Sequence, residues 1–341
     1  MSEAAPTRWL DGHLDLAYLA LGGDAPVRDM FSPLPSDHAG CISLPSLCAA
    51  HVRIALGTIF TELGGAESDP CAYRAGDPES AHAAGLRQLQ WYRDAEAKGK
   101  LRIITNSTDL DFIWNNTSAD APLGVVLLME CADPIRTPEE AAWWYAQGVR
   151  VVGMAWGRGS RYCGGNAMAG GINSMGRALV EAFDDLGILH DASHLSRAAF
   201  DDLLNITDQR IVATHSNAAA LMPHSERHLT DVQLAAIASR DGVVGLNLYG
   251  KFLAANRPAT LNDCLAHLER VTEFATSQRI ALGSDFDGGF TRHDVPQEIS
   301  GPQGLSTLSE ALKTRGFSTA EVLGFQHNNW LRVLRSALPV A

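Results

Sequence analysis

Two histidines close short apolar runs in the middle of the chain. Leu186-Gly-Ile-Leu-His-Asp-Ala-Ser-His-Leu-Ser196 carries His194 just past its apolar stretch, and Ile211-Val-Ala-Thr-His-Ser216 reaches His215 one helix later. A histidine where a buried parallel strand runs out points into the mouth of an α/β fold, and neutral imidazole is a preferred donor to zinc. Two such ends in consecutive strand–helix units predict two ligands converging on one metal. Trp9-Leu-Asp-Gly-His-Leu-Asp-Leu16 adds His13 and Asp15, two positions apart on a strand and therefore on one face. That spacing alone is weak, since roughly one such tripeptide is expected by chance in a chain this rich in His and Asp. Pro122-Leu-Gly-Val-Val-Leu-Leu-Met-Glu130 is apolar until its final carboxylate. A glutamate there needs a metal or an arginine, because an unpaired buried charge is very costly. A last strand, Arg279-Ile-Ala-Leu-Gly-Ser-Asp285, ends on a further carboxylate.

The elements that must position these groups follow from hydrophobic periodicity. Strands are predicted near 9–15, 52–58, 123–130, 149–156, 187–192, 211–215, 243–249 and 280–285. Helical patterns follow most of them, at 79–97, 138–147, 175–186, 196–204 and 261–277. A short strand at 101–105, a helix near 110–115 and closing helices at about 305–335 complete the chain. Residues 17–50 have the Gly and Pro content of a long loop, 61–78 that of a candidate lid, and 157–171 that of an irregular glycine-rich loop. Strand–helix alternation of this kind, without repeats, linkers or a composition break, implies a single (β/α)8 TIM-type barrel over residues 1–341, with its chemistry at the C-terminal strand ends.

Composition narrows the function classes. With 341 residues and 46% hydrophobic content the chain can bury a large core, and its net charge of −12 argues against nucleic acid or an anionic membrane surface as partner. Six scattered cysteines without a CxxC pair read as reduced cytoplasmic thiols. The N-terminus lacks an apolar signal core and no run has the length of a transmembrane helix, so a soluble, cytoplasmic protein is expected.

Taken together, the strand ends present His13, Asp15, Glu130, Trp156, His194, His215 and Asp285. Five ligands of N/O type suit two zinc ions bridged by a carboxylate. Glu130 is the natural bridge, with His13 and Asp15 completing one metal and His194 and His215 the other. Asp285 is left without a metal and suits a proton shuttle between an attacking water and a leaving amine.

The chain resembles the renal or membrane dipeptidase family of the amidohydrolase superfamily. The resemblance rests on Asp11-Gly-His-Leu-Asp15, Glu130, Gly187-Ile-Leu-His-Asp-Ala-Ser-His194, Thr214-His-Ser216, Arg227-His-Leu-Thr-Asp231, Gly283-Ser-Asp-Phe-Asp-Gly288 and Asn329-Trp-Leu-Arg-Val333, and spans almost the whole chain. It implies a (β/α)8 barrel, a binuclear zinc centre with the ligands just derived, hydrolysis of dipeptides with tolerance of a C-terminal D-residue, and a homodimer. It also implies that Asp285 is the catalytic aspartate, that Arg227 binds the substrate carboxylate, and that Tyr18 forms an aromatic pocket wall. Two positions depart from the pattern. Trp156 stands where the family's dipeptidases commonly carry a histidine that polarises the scissile carbonyl, and Phe252 where a substrate-facing tyrosine is expected. Indole donates one N–H and carries no positive charge. Hydrolysis of another amide, such as an N-acyl amino acid, and a non-catalytic ligand-binding barrel are therefore the competing expectations.

Overall fold

The computed structural model describes residues 7–23, 27–64, 69–118 and 120–340. Eight parallel strands surround the axis: β1 (Trp9–Leu14), β2 (Val52–Phe60), β3 (Leu123–Glu130), β4 (Val149–Gly153), β5 (Leu189–Asp191), β6 (Ile211–Val212), β7 (Val244–Leu246) and β8 (Ile280–Leu282). From β1 to β6 each strand pairs with the next, β7 pairs with β8, and β8 pairs with β1. The ring closes between β6 and β7 through a parallel bridge from Ala213 to Val244, where the Gly245 N–H donates to the Ala213 carbonyl at 2.8 Å. Helices Pro78–Ala97, Ala141–Ala146, Ser174–Leu186, Arg197–Ile206, Asp231–Ser239, Leu261–Ala275 and Leu305–Thr314 alternate with the strands. This is the α/β barrel that the alternation predicts.

The helices beside the site have explicit ends. Asn173 caps Ser174–Leu186 by accepting from the Gly176 N–H, and Gly187 stops that helix in the left-handed region at φ 71°. Ser196 caps Arg197–Ile206 by accepting from Ala199. β5 is thereby held between two sharply terminated helices, which fixes where its His194 tail emerges.

The barrel interior is packed from below. Leu10, Leu56, Val126, Leu128, Val151 and Val212 form one buried cluster with Trp330 and Leu331 of the helix Asn329–Ala337. Trp330 donates its indole N–H to the Leu282 carbonyl at 2.9 Å. Gly12 makes room for it: a Cβ there would lie 2.5 Å from the Trp330 ring. The Asn329-Trp-Leu-Arg-Val333 motif therefore plugs the barrel bottom and leaves the chemistry to the top.

Several predicted boundaries move. β4 ends at Gly153 and β6 at Val212, short of 156 and 215; after β6 the tail leaves the ladder for a side-chain partner, the Thr214 N–H donating to Asp191. The 17–50 stretch contains helices Leu16–Leu21 and Leu44–Ala49, the second started by a Ser43/Ser46 capping box and Pro45. Only six residues long each, they give little periodic signal. The 157–171 loop carries a hairpin, Cys163–Gly165 with Met168–Ile172. In the 61–78 segment, Glu62–Leu63 pairs with Ala72–Tyr73, and residues 65–68 lie outside the described residues. Among the described residues no helix is long and apolar enough to cross a membrane.

Candidate metal centre

Each donor is aimed by a local departure from regular strand. The pairing of β1 with β2 slips between Asp11, opposite Ala55, and Leu14, opposite Gly57. The extra residue is a bulge, which re-aims the His13 side chain toward the axis. Asp11, fully buried, staples this bulge to the end of β8, accepting from the backbone N–H of His13 (3.2 Å) and of Ser284 (2.8 Å) and from the Ser284 hydroxyl (2.5 Å). Burial pushes the Asp11 carboxyl up to about 6, and the Ser284 hydrogen bonds oppose that rise. His194 and Asp285 adopt left-handed backbone, at φ 65° and 61°. A non-glycine residue pays strain there, and such strain clusters at functional sites.

The result is one cluster of donors at the barrel mouth. Glu130 lies at its centre, its two oxygens 3.4 Å from His13 Nε2, 3.1 Å from His194 Nε2 and 3.4 Å from His215 Nε2. His13 Nε2 is also 3.7 Å from Asp15 and 3.9 Å from Asp285. His13, Glu130 and His215 form one set of donor atoms within 4.8 Å of one another, and His13, Asp15 and Asp285 form a second. The structure thus gathers every predicted ligand. It also brings Asp285, expected to stand apart as a shuttle, among the donors.

The surrounding hydrogen bonds fix which ring nitrogens face inward. Thr214 donates its hydroxyl to Asp191 at 2.6 Å, so its lone pairs meet the Nδ1 atoms of His215 at 2.9 Å and His13 at 3.3 Å. A carboxylate can only accept, which makes both imidazoles Nδ1–H tautomers and leaves their Nε2 lone pairs pointing into the cluster. His194 is held likewise, Nδ1 against the Asn166 side-chain oxygen at 2.9 Å. The Nε2 atoms of His194 and His215 are then 3.0 Å apart, lone pair to lone pair. His13 Nε2 is buried with no hydrogen-bond partner. Three lone pairs and three carboxylates facing one another in a buried cluster need cations between them, and N/O donors of this kind fit divalent metal.

The protein's own electrostatics agree. Burial opposes a charge on His13, yet Glu130, Asp15 and Asp285 together raise its pKa to about 10: the cluster seeks a cation even if only a proton is at hand. Burial resists ionisation of Glu130 as well, but His13 and His194 hold it well below the usual carboxylate range. Burial and the Arg227 charge lower His194 to about 4, and burial, His13 and Arg227 push His215 well below its ordinary value. Asp285 is pushed up by burial and by Asp15 and Glu130, with His13 pulling against them. Asn247 donates to its Oδ2 at 2.8 Å, and the Thr58 hydroxyl donates to Asp15. Gly288 lies tight against both carboxylates: a Cβ there would sit 2.2 Å from Asp285 Oδ1 and 2.9 Å from Asp15 Oδ2.

A cavity of about 340 Å³ opens from the cluster, a size suited to a small ligand. Trp156 and Tyr18 line it as predicted, and both pack edge-on against Phe60, at 5.4 and 5.2 Å between ring centroids. Phe252 and Tyr249 also line it. Arg227 is buried, within range of the Asp285 and Glu130 charges. It donates to the His215 carbonyl (2.6 Å) and the Ser216 hydroxyl (2.7 Å), and its guanidinium lies 5.5 Å from the Phe252 ring. Sequence reasoning missed Phe60, Glu62 and Tyr249 of the lining and the supporting Thr214, Asp191, Asn166 and Asn247. Only Thr214 and Asp191 carried a signal, standing within the motifs that hold His215 and His194.

A parallel eight-stranded barrel with a cluster of imidazole and carboxylate donors at its C-terminal mouth defines a metal-dependent hydrolase. The chain belongs to the membrane dipeptidase family, peptidase family M19, whose family model matches residues 4–341. The crystal structure of dipeptidase AC, a metallopeptidase of family M19, superposes with a TM-score of 0.83 at 26% identity, covering 98% of this chain and 99% of that one. A metallopeptidase from Rhodobacter sphaeroides, liganded with a phosphinate mimic of the dipeptide L-Ala-D-Ala, gives a TM-score of 0.82 at 26% identity over 96% of this chain and 99% of that one. Dipeptidase tcpJ of Claviceps purpurea is 25% identical over 98% of this chain and 78% of its own length.

Proposed function

We propose that this chain hydrolyses dipeptides, including L,D-dipeptides, with two Zn2+ bridged by Glu130. His13 and Asp15 would hold one ion, His194 and His215 the other. The observation that carries this reading is the convergence of three imidazole lone pairs and three carboxylates at the mouth of a 340 Å³ cavity, in a chain of a dipeptidase family. The L-Ala-D-Ala mimic bound by the Rhodobacter relative supports the choice of L,D-substrates. When bound, the metal pair supplies Lewis acidity toward the scissile carbonyl and a water acidic enough to act as nucleophile at neutral pH.

The protein groups divide the remaining work. Asp285 takes the proton of the attacking water as the O–C bond forms and returns it to the leaving amine as the C–N bond breaks. Asn247, bonded to its Oδ2, leaves Oδ1 facing the cluster for that transfer. Arg227 is the proposed partner of the substrate carboxylate: its Nε is buried without a partner, while its other nitrogens hold the His215 segment in place. Trp156, Tyr18 and Phe60 shape the apolar wall. All six cysteines are free thiols, which supports a reducing, cytoplasmic setting, and the family resemblance supports a homodimer.

The test is amino-acid release from L,L- and L,D-dipeptides by purified, zinc-loaded protein, with a chelated control. Chelator-sensitive release is expected. Release from N-acyl amino acids alone would reassign the substrate, in keeping with Trp156 and Phe252. A protein that binds no metal would be a ligand-binding barrel instead.

A further inference from the structure

The donors occupy one part of the cavity wall, and aromatic rings supply most of the rest. Outside the donors, the described lining consists of Tyr18, Phe60, Trp156, Tyr249 and Phe252, two glycines and Glu62. Glu62 already has a partner within the protein. No lysine, arginine or side-chain amide is among the described lining residues. Each ring is fixed by its neighbours. Phe60, the last residue of β2, packs edge-on against Tyr18 at 5.2 Å and against Trp156 at 5.4 Å, centroid to centroid. Tyr249 and Phe252 follow β7 and pack edge-on against each other at 4.9 Å. Phe290 stacks on Tyr249 at 4.6 Å, and His228 meets the Phe252 ring at 5.3 Å. Their backbone is pinned as well: the Asn247 side-chain oxygen accepts from the Tyr249 N–H at 2.7 Å, and the Asn217 side-chain amide donates to the Phe252 carbonyl at 3.4 Å. Trp156, Tyr249 and Phe252 are only half-buried, so ring surface remains for a ligand.

Such a wall discriminates by polarity. An apolar side chain entering it leaves water and gains ring contacts, whereas a polar one of equal size gives up its water to ring faces that offer few hydrogen bonds. Rings already locked by packing cost little ordering entropy when a ligand meets them. We propose that these five rings form a subsite for a large apolar side chain beside the metal centre, so that the enzyme favours dipeptides bearing leucyl- or phenylalanyl-type residues over isosteric polar ones. This rests on the dipeptidase reading above, but not on which way round the dipeptide lies.

The experiment measures kcat/KM of the zinc-loaded enzyme for two isosteric pairs, L-Leu-D-Ala against L-Asn-D-Ala and L-Ala-D-Leu against L-Ala-D-Asn. Each end of the dipeptide is thereby probed with size held constant. The leucyl member is expected to win by about tenfold or more in at least one pair, the scale on which an apolar pocket discriminates. In that pair Phe252→Asn should bring the ratio close to one, while Phe252→Leu should keep most of it. Ratios near one in both wild-type pairs, with turnover intact, overturn the subsite and leave dipeptide hydrolysis standing. A preference that Phe252→Asn leaves unchanged overturns its assignment to this wall. Absence of hydrolysis of every dipeptide, L-Ala-D-Ala included, overturns both readings together.

Discussion

Asp285 and Trp156 are the two residues whose chemistry is easiest to separate from folding. Asp285 sits among the donors yet keeps an oxygen bonded to Asn247. Asp285→Asn retains shape and hydrogen-bonding capacity but cannot accept the proton, so turnover is expected to fall by about 10² to 10⁴. Metal content measured on the same preparation should stay near wild type, and unchanged turnover would remove Asp285 from the proton path. Trp156 packs against Phe60 and lies 5.9 Å from the His194 ring, ring centroid to centroid. If oxyanion stabilisation is what the indole lacks, Trp156→His raises kcat/KM on dipeptides by about tenfold, part of the 10² to 10³ an oxyanion donor can supply. A drop instead would show that the enzyme relies on the apolar wall.

At the scale of elements, the site depends on what happens where strands end. Thr214 follows β6 and orients two imidazoles with one hydroxyl. Thr214→Val keeps the volume and removes that acceptor, so zinc affinity should weaken by about 10- to 100-fold, read by chelator competition. Gly288, in the segment after β8, allows its backbone to touch two carboxylates. Gly288→Ala should displace Asp285 or Asp15 and abolish stoichiometric metal binding, with circular dichroism unchanged because the barrel itself is untouched. Full metal occupancy in that variant would show that the segment yields easily.

For the whole molecule, acid sensitivity has a source away from the donor cluster. His267 is fully buried, accepting from the Ala218 N–H and facing the Leu253 carbonyl, each at 3.2 Å, and burial lowers it to about 4. His228 lies 6.3 Å from it, ring centroid to centroid, and burial followed by the Arg227 charge lowers it to about 3. In the unfolded chain both bind protons near 6.5. The stabilisation from keeping them neutral is complete above about pH 6.5 and is lost as pH falls toward 3–4. The unfolding free energy of the chelated protein, from urea titration, should therefore drop between pH 7.5 and pH 5, by up to about 1.4 kcal/mol per histidine for each pH unit below 6.5. A pH-independent midpoint would mean that both histidines already reach water. Adding zinc should raise the thermal midpoint at neutral pH, since it binds the folded chain preferentially.

By itself the sequence determined the barrel and which side chains stand where its strands run out. Apolar runs that stop on His194, His215, Glu130 and Asp285 report burial and its end, and both are properties of the local chain. Short helices such as Leu16–Leu21 escaped because six residues give little period, and the strand tails looked longer than they are because their apolar residues stay buried after leaving the ladder. Tertiary structure alone decided that His13 serves both donor sets, that Asp285 joins them, and that Arg227 braces the His215 segment. Those outcomes depend on distances between residues from different strands. The barrel sets such distances through a bulge in β1, left-handed turns at His194 and Asp285, and the shared Thr214 hydroxyl.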